Sequence, residues 1–336
     1  MTKKYLTAVL LILIVWGCNS NSPNVNAVKV EIQTLRFEQA LFKADSNNMS
    51  PALTSLQKYF NGFTTNFMGT ILNADSNWAP TETVNYLRSF MGAYRAVYDS
   101  SQLLYKNFDA YAASIKKGLQ HVKFYFPNYP LPTKLITYVG PLDGYGDILD
   151  TDAIVVGLHH HLGAKSALYQ PAWVQDVYPA YISSRFTSDY IAINAMKNIV
   201  LDLYPENSSE KSLVVQMVEK GKRLYLLERF LPETAPHLLL GYTKKQYDES
   251  MVREATIWAL FVQNNLLQTT DYNMVKNYIG DGPKTQELGD ASPGNIGSFA
   301  GWQIVKKYIK KHPNASPDVI MKLDAEQLFA EAKYKP

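Results

Sequence analysis

Between Lys134 and Arg229 the apolar positions change period, and this change organises the reading of the chain. Lys134–Val139 and Asp152–Leu158 are short apolar runs rich in β-branched residues. Between them lies the turn-forming stretch Gly140-Pro141-Leu142-Asp143-Gly144-Tyr145-Gly146-Asp147, so the pattern predicts two strands joined by a glycine-bearing loop. Helical spacing follows over Thr187–Leu203 and again over Glu210–Arg229. Upstream, Val28–Ile32 alternates and predicts a strand, while Thr34–Asp45 has helical spacing at Leu35, Leu41 and Phe42. Ser50-Pro51 is a helix start, leading Leu53, Leu56, Tyr59 and Phe60 along one side. A loop over Asn73–Pro80 precedes a helix over Thr81–Asp99, with Val84, Leu87, Met91 and Tyr94 as its buried stripe. Another helix spans Gln102–Tyr125, with a break expected near Gly118, and the prolines of Phe126–Pro132 exclude a helix there. Downstream, Thr243–Gln246 is a capping box, opening a helix with Val252, Ala255, Val262 and Leu266 on its apolar side. Asp271–Gly280 and the stretch from Trp302 to Ile309 complete the pattern. The expected fold is mainly α with a small β-sheet (α+β), its strands followed by two core helices.

The first residues add a compartment. Lys3 and Lys4 precede the apolar run Leu6–Gly17, and Cys18 follows directly. At about 1.5 Å per residue that run reaches roughly 18 Å, short of the ~30 Å of bilayer hydrocarbon. Residues 1–17 therefore read as a signal peptide, and the small residue before Cys18 makes it a lipoprotein signal with acyl chains (palmitate-type) on Cys18. Asn19–Ala27 is polar and lacks acidic residues, so 18–27 reads as a flexible tether and 28–336 as a single globular domain. Cys18 is the only cysteine, which excludes a disulfide. The net charge of +3 falls further with loss of Lys3 and Lys4, a balance that argues against nucleic acid. With 46% hydrophobic residues, 23 Tyr and 14 Phe, the chain can fill a sizeable core unaided.

Candidate chemistry is sparse. A zinc peptidase helix needs His at i and i+4 with a Glu beside the first, because that spacing aims both imidazoles at one ion. Thr187–Leu203 contains neither His nor Glu. His159-His160-His161 closes the second strand, where an extended chain lets only His159 and His161 share a metal, and the stretch otherwise reads as a half-exposed strand end. Asn194, Asn198 and Asp202 form one i, i+4, i+8 row facing solvent or a loop, and Glu219 with Arg223 is spaced for a surface ion pair. Ser292-Pro293-Gly294-Asn295-Ile296-Gly297 enters a helix, so Ser292, Gly294, Asn295 and Gly297 form a possible binding loop for an anion, or a place where backbone packs closely.

Met217–Tyr225, Gly241-Tyr242-Thr243, Ser292–Gly297 with Gly301–Val305, and the final Lys333-Tyr334-Lys335-Pro336 resemble the gliding-motility lipoprotein family GldB. The similarity runs from about Val28 to Pro336. It implies an envelope lipoprotein, held by the lipid on Cys18, needed for gliding and accessory to type IX secretion, with envelope proteins as partners, no cofactor and no known catalysis; the absence of acidic residues just after Cys18 favours a periplasm-facing position. That family is distantly similar to zinc peptidases, which implies a zincin-like arrangement of strands followed by two core helices. On that likeness Asn194 and Asn198 stand at the two His positions, Ala195 at the catalytic Glu and Glu219 at the downstream ligand, a degenerate site that binds no metal. Two other classes compete: a metal-dependent hydrolase using His159 and His161, and a ligand-binding lipoprotein with a cleft under the aromatic connection 169–181.

Overall fold

A computed structural model describes residues 22–45, 48–60, 62–74 and 81–336. The expected signal peptide and Cys18 lie outside them, as does most of the loop expected over Asn73–Pro80. A four-stranded sheet of order β1-β2-β4-β3 sits among helices. β1 (Gln33–Arg36) pairs parallel with β2 (Lys134–Tyr138), Gln33 opposite Lys134, and β2 pairs parallel with β4 (Ala153–Gly157), Lys134 opposite Ala153. β3 (Ile148–Leu149) turns back antiparallel on β4. Every residue of β4, and all of β2 after Lys134, is buried. Parallel strands covered on both faces read as unbroken apolar runs, which is why these two were plain in the sequence.

The N-terminal segment differs from expectation. Val28–Ile32 is not a strand; the strand is Gln33–Arg36, running into the stretch expected as helix, and the helix is cut to Phe37–Phe42. Pairing with β2 overrides the local spacing. Phe37 and Glu38 then act as anchors. The Phe37 ring lies 5.1, 5.0 and 4.9 Å from those of Phe60, Phe63 and Phe67. Glu38 is fully buried, taking a hydrogen bond from Thr137 Oγ1 at 2.7 Å on β2 and another from Arg36 Nε at 2.7 Å. Residues 22–27 also differ from a free tether: Val25 is 0% exposed, and Lys117 Nζ donates to Asn26 Oδ1 at 2.6 Å.

Several helices divide or shift. The pattern over 81–99 is two helices, Thr81–Ala93 and Arg95–Leu104, with Phe90 buried in place of Met91. No break occurs at Gly118: Asp109–Tyr125 is continuous, and Gly118 lets Met196 of the next helix approach. The capping box at Thr243 and Gln246 forms as read, but its helix ends at Val252, and Ile257 and Phe261 are the buried residues of the following Glu254–Gln263 helix. Val252 is 87% exposed.

After the strands and several short turns come the helices Tyr190–Leu203 and Leu213–Phe230. The second is the axis of the C-terminal half. Ile296–Lys311 crosses it so closely that a Cβ on Gly301 would lie 1.8 Å from the Met217 carbonyl oxygen, and one on Gly221 would lie 2.3 Å from that of Gly301. Only glycine at both positions admits that approach. Lys222, 2% exposed, donates to the carbonyls of Met321 at 3.1 Å and Leu323 at 2.8 Å, tying the Pro317–Lys322 helix end to this axis. The chain closes with the hydroxyl of Tyr334 on Glu254 Oε1 at 2.6 Å. Among the described residues no helix is long and apolar enough to cross a membrane.

Candidate functional site

The histidine triplet does not continue β4. Leu158–His160 forms one 3₁₀ turn, which sends the three rings in different directions. All three are buried, with His159 at 0% and His161 at 1% exposure, so the half-exposed strand end expected there is replaced by an interior one. The rings point into the loop 140–147. The Gly140 amide donates to His159 Nδ1 at 3.0 Å, which makes Nε2 the protonated nitrogen, and it donates to the Tyr145 carbonyl at 2.9 Å. His160 Nε2 donates to the Leu142 carbonyl at 3.1 Å while its ring stacks on Phe186 at 4.4 Å. A buried loop must satisfy its own backbone groups, and imidazoles do that work here.

His161 has a different electrostatic task. Its Nδ1 meets the Thr187 carbonyl at 2.9 Å and its Nε2 meets Asp147 Oδ2 at 2.8 Å. Both partners only accept, so both nitrogens carry hydrogen and the pair is an imidazolium against a carboxylate. Burial works against that charge, but Asp147 and the Thr187 carbonyl outweigh it, and the pKa of His161 is raised. Burial pushes His159 well down, with the neighbouring His160 and His161 rings acting in the same direction, and pushes His160 down to about 4. Three consecutive histidines thus hold two protonation states.

Asp147 is the centre of this network. Its Oδ1 accepts from the Gly157 amide at 2.9 Å, and its Oδ2 accepts from Asn194 Nδ2 at 2.8 Å as well as from His161. Asn198 Nδ2 donates to the Asp147 carbonyl at 3.1 Å. The Asn194–Asn198 row therefore faces the loop, and Asp202, at its end, accepts from Tyr129 at 2.7 Å. Ala195 is fully buried. Glu219 stands apart. Its main partner is Lys222 at 2.6 Å, with Arg223 at 3.8 Å, and it lines a cavity of about 400 Å³ with Tyr204 and Met321, away from the Asp147 network. The sequence pair Glu219–Arg223 is the weaker of the two contacts, because Lys222 is buried against the carboxylate. His159 has both ring nitrogens engaged and His161 likewise, and among the described residues no group of three His, Cys, Asp or Glu is arranged to hold a metal.

The aromatic connection 169–181 clamps the same network, and its last residue, Tyr181, lines a cavity of about 200 Å³. Tyr169 OH donates to the His159 carbonyl at 2.6 Å and accepts from the Leu162 amide, and Tyr178 OH donates to the Gly144 carbonyl at 2.7 Å. In the loop 292–297, Ser292 Oγ is bonded to Thr285, and a Cβ on Gly294 would lie 2.2 Å from the Gly282 carbonyl oxygen. Gly297 faces Ile279, Tyr278 and Met217. Those glycines serve close packing.

Asn295, left-handed at φ 57°, caps the helix that follows and lines two adjoining cavities of about 350 and 200 Å³. The larger takes Lys220, Arg223 and Leu224 from the Leu213–Phe230 helix and Lys197 from Tyr190–Leu203. The smaller takes Gly241, Tyr242 and Thr243. Three of the four segments that carried the sequence resemblance thus meet here. Asp147 and Lys197 were missed in the sequence; Lys197 had left one signal, a lone charge among Ile193, Met196, Ile199 and Val200.

Neither the curated proteins nor the solved structures contain a match to this chain. The family model described as gliding motility protein GldB matches residues 18–336, and on that match the chain belongs to the GldB family of gliding-motility lipoproteins.

Proposed function

We propose that this protein serves the gliding and type IX secretion machinery of the cell envelope by binding partners and not by catalysis, from a periplasm-facing position anchored through Cys18. The observation that supports this reading is the use made of Asn194 and Asn198. At the helix positions where a zinc peptidase would carry its His pair, both side-chain amides are donors to Asp147, at 2.8 and 3.1 Å. A neutral amide is a far weaker zinc ligand than imidazole, and Ala195 has no group to act as a base. Glu219, the residue matched to the remaining ligand, is neutralised by Lys222. What such a frame retains is a rigid surface.

The test is complementation in a gliding bacterium whose own copy has been deleted. Glu219→Gln, chosen to remove any metal or acid–base role at small steric cost, is expected to restore colony spreading, whereas Cys18→Ala is not. Purified protein assayed against a peptide library with and without zinc is expected to show no cleavage. Zinc-dependent cleavage abolished by Glu219→Gln would overturn the proposal. Protease shaving of intact cells checks the placement: loss of the protein without lysis contradicts a periplasmic face.

A further inference from the structure

The cavity of about 350 Å³ between the Tyr190–Leu203 and Leu213–Phe230 helices and the start of Ile296–Lys311 combines two chemistries. Its lining is apolar at Val200, Leu224, Leu227, Leu239, Leu240 and Ile279. It is charged at Arg185, Lys197, Lys220 and Arg223, with Glu206 and Asp281 as the only acids. Leu201, 44% exposed, marks the mouth.

The cations are not equally committed. Arg185 is paired with Asp281 at 3.2 Å. Arg223 directs its guanidinium at the carbonyls of Tyr204, Pro205 and Glu219, at 3.3, 3.0 and 3.1 Å. Lys220 reaches Glu206 only at 3.7 Å. Lys197 makes no hydrogen bond or ion pair among the described residues. Beside Arg185 and Lys220, this ammonium has only the Asp281 carboxylate, already paired with Arg185, to offset its charge, so a further anion would be stabilising there. Asn295 and Ser298, in the first turn of the 16-residue Ile296–Lys311 helix, add the positive end of its dipole to the same cavity.

We propose that this cavity binds an anionic amphiphile, one carboxylate or phosphate head against Lys197 and Lys220 with an alkyl chain along Val200, Leu227 and Leu240. A purely polar anion leaves those apolar side chains wet, and a purely apolar ligand leaves Lys197 unmatched; a molecule carrying both matches both. The volume lies at the lower end of the ~300–1,000 Å³ of small-molecule sites, so a medium chain with a small head fits it best. This inference does not rest on the gliding reading and survives its failure. Burial and the neighbouring Arg185 and Lys220 charges push the Lys197 pKa down to about 8, with Asp281 acting the other way; the group is still largely protonated near neutral pH, and a bound anion would hold that proton.

The full-length protein in nanodiscs of zwitterionic lipid is titrated calorimetrically with octanoate, octyl phosphate, inorganic phosphate and octanol, with protein-free nanodiscs as blank. Octanoate or octyl phosphate is expected to bind 1:1, at least tenfold more tightly than inorganic phosphate or octanol. Preference between the two heads assigns the source, a fatty acid if octanoate wins and a phospholipid-type head if octyl phosphate does. Lys197→Met and the more exposed Lys220→Gln are each expected to weaken the charged amphiphile at least fivefold and to leave octanol within twofold. Inorganic phosphate binding as tightly as octyl phosphate, octanol binding as tightly as octanoate, no saturable heat with any probe, or both variants binding within twofold of the parent would each overturn the proposal.

Discussion

Replacing Gly301 with alanine tests the closest helix crossing in the molecule. The added Cβ would lie 1.8 Å from the Met217 carbonyl oxygen and 2.4 Å from its carbon, and both obstacles are backbone. No side-chain rotation relieves that overlap, so the Leu213–Phe230 and Ile296–Lys311 helices must part by more than an ångström. Overpacking a core costs about 1–3 kcal/mol when side chains can yield, and sites where backbone must move lie at or beyond the top of that range. Alanine returns about 0.5–1 kcal/mol through its better helix propensity. The net expectation is a loss of about 2–4 kcal/mol, read from urea unfolding followed by far-UV circular dichroism. Gly92→Ala is the control. A Cβ there meets nothing within 4 Å, so the same substitution near the end of a helix is expected to stabilise by about 0.5–1 kcal/mol. Gly221→Ala is expected to cost as much as Gly301→Ala, and the double variant distinctly less than their sum, since helices already parted make room for both methyls. If Gly301→Ala is tolerated as well as Gly92→Ala, the backbone-contact argument is wrong.

Four further outcomes follow from the same structure. Asp147→Ala leaves the His161 imidazolium and the Asn194 amide buried without their acceptor and is expected to cost about 3–5 kcal/mol, with the loop 140–147 losing amide-exchange protection first. Stability is expected to fall as pH drops below about 6.5, because His159 and His160 have pKa values depressed by burial and the unfolded chain takes up their protons first; each unit down to about 4, where His160 itself titrates, removes up to ~1.4 kcal/mol per group. His161, with its pKa raised by Asp147, slopes the other way, adding stability below about 6.5 that is lost as pH rises through its folded value, so Asp147→Asn is expected to steepen the acid loss in urea titrations between pH 5 and 7. Lys222→Met removes the donor to the Met321 and Leu323 carbonyls and leaves Glu219 without its main partner; a loss of about 3 kcal/mol is expected, with early proteolysis beyond Lys311.

Legibility in the sequence followed the range of the interactions that decide each element. β2 and β4 were readable because burial on both faces leaves an unbroken apolar run, and the helix caps at Thr243 and Asp271 because a cap is a contact between residues three apart. Gln33–Arg36 was not readable, since nothing within it marks a strand; its partner lies about a hundred residues away in Lys134–Thr137. Phe37 and Glu38, which blur the helical spacing there, do so because their positions answer to Phe60, Phe67 and Thr137 and not to a local apolar face. The divisions at Tyr94 and Arg253 passed unnoticed for the complementary reason, that neither carries proline or glycine and each is imposed by what the flanking helices pack against.

The site shows the same division. Asn194 and Asn198 could be placed on one helix face from spacing alone, but their function depended on Asp147, the last residue of a loop whose path no local rule specifies. Once that carboxylate is in place the histidines cease to be metal candidates competing for an ion and become parts of a charge arrangement, one positive and two neutral. The polar interior is therefore closed: its donors and acceptors satisfy one another, and reactivity there would require breaking a buried ion pair. The opposite holds some distance along the same helix. Lys197 lines a different cavity, where among the described residues no hydrogen bond or ion pair holds it and Asp281 is the acid that acts on it. Of the two polar regions that the Tyr190–Leu203 helix serves, the satisfied one holds the fold together, and the unsatisfied one retains the free energy to bind something else.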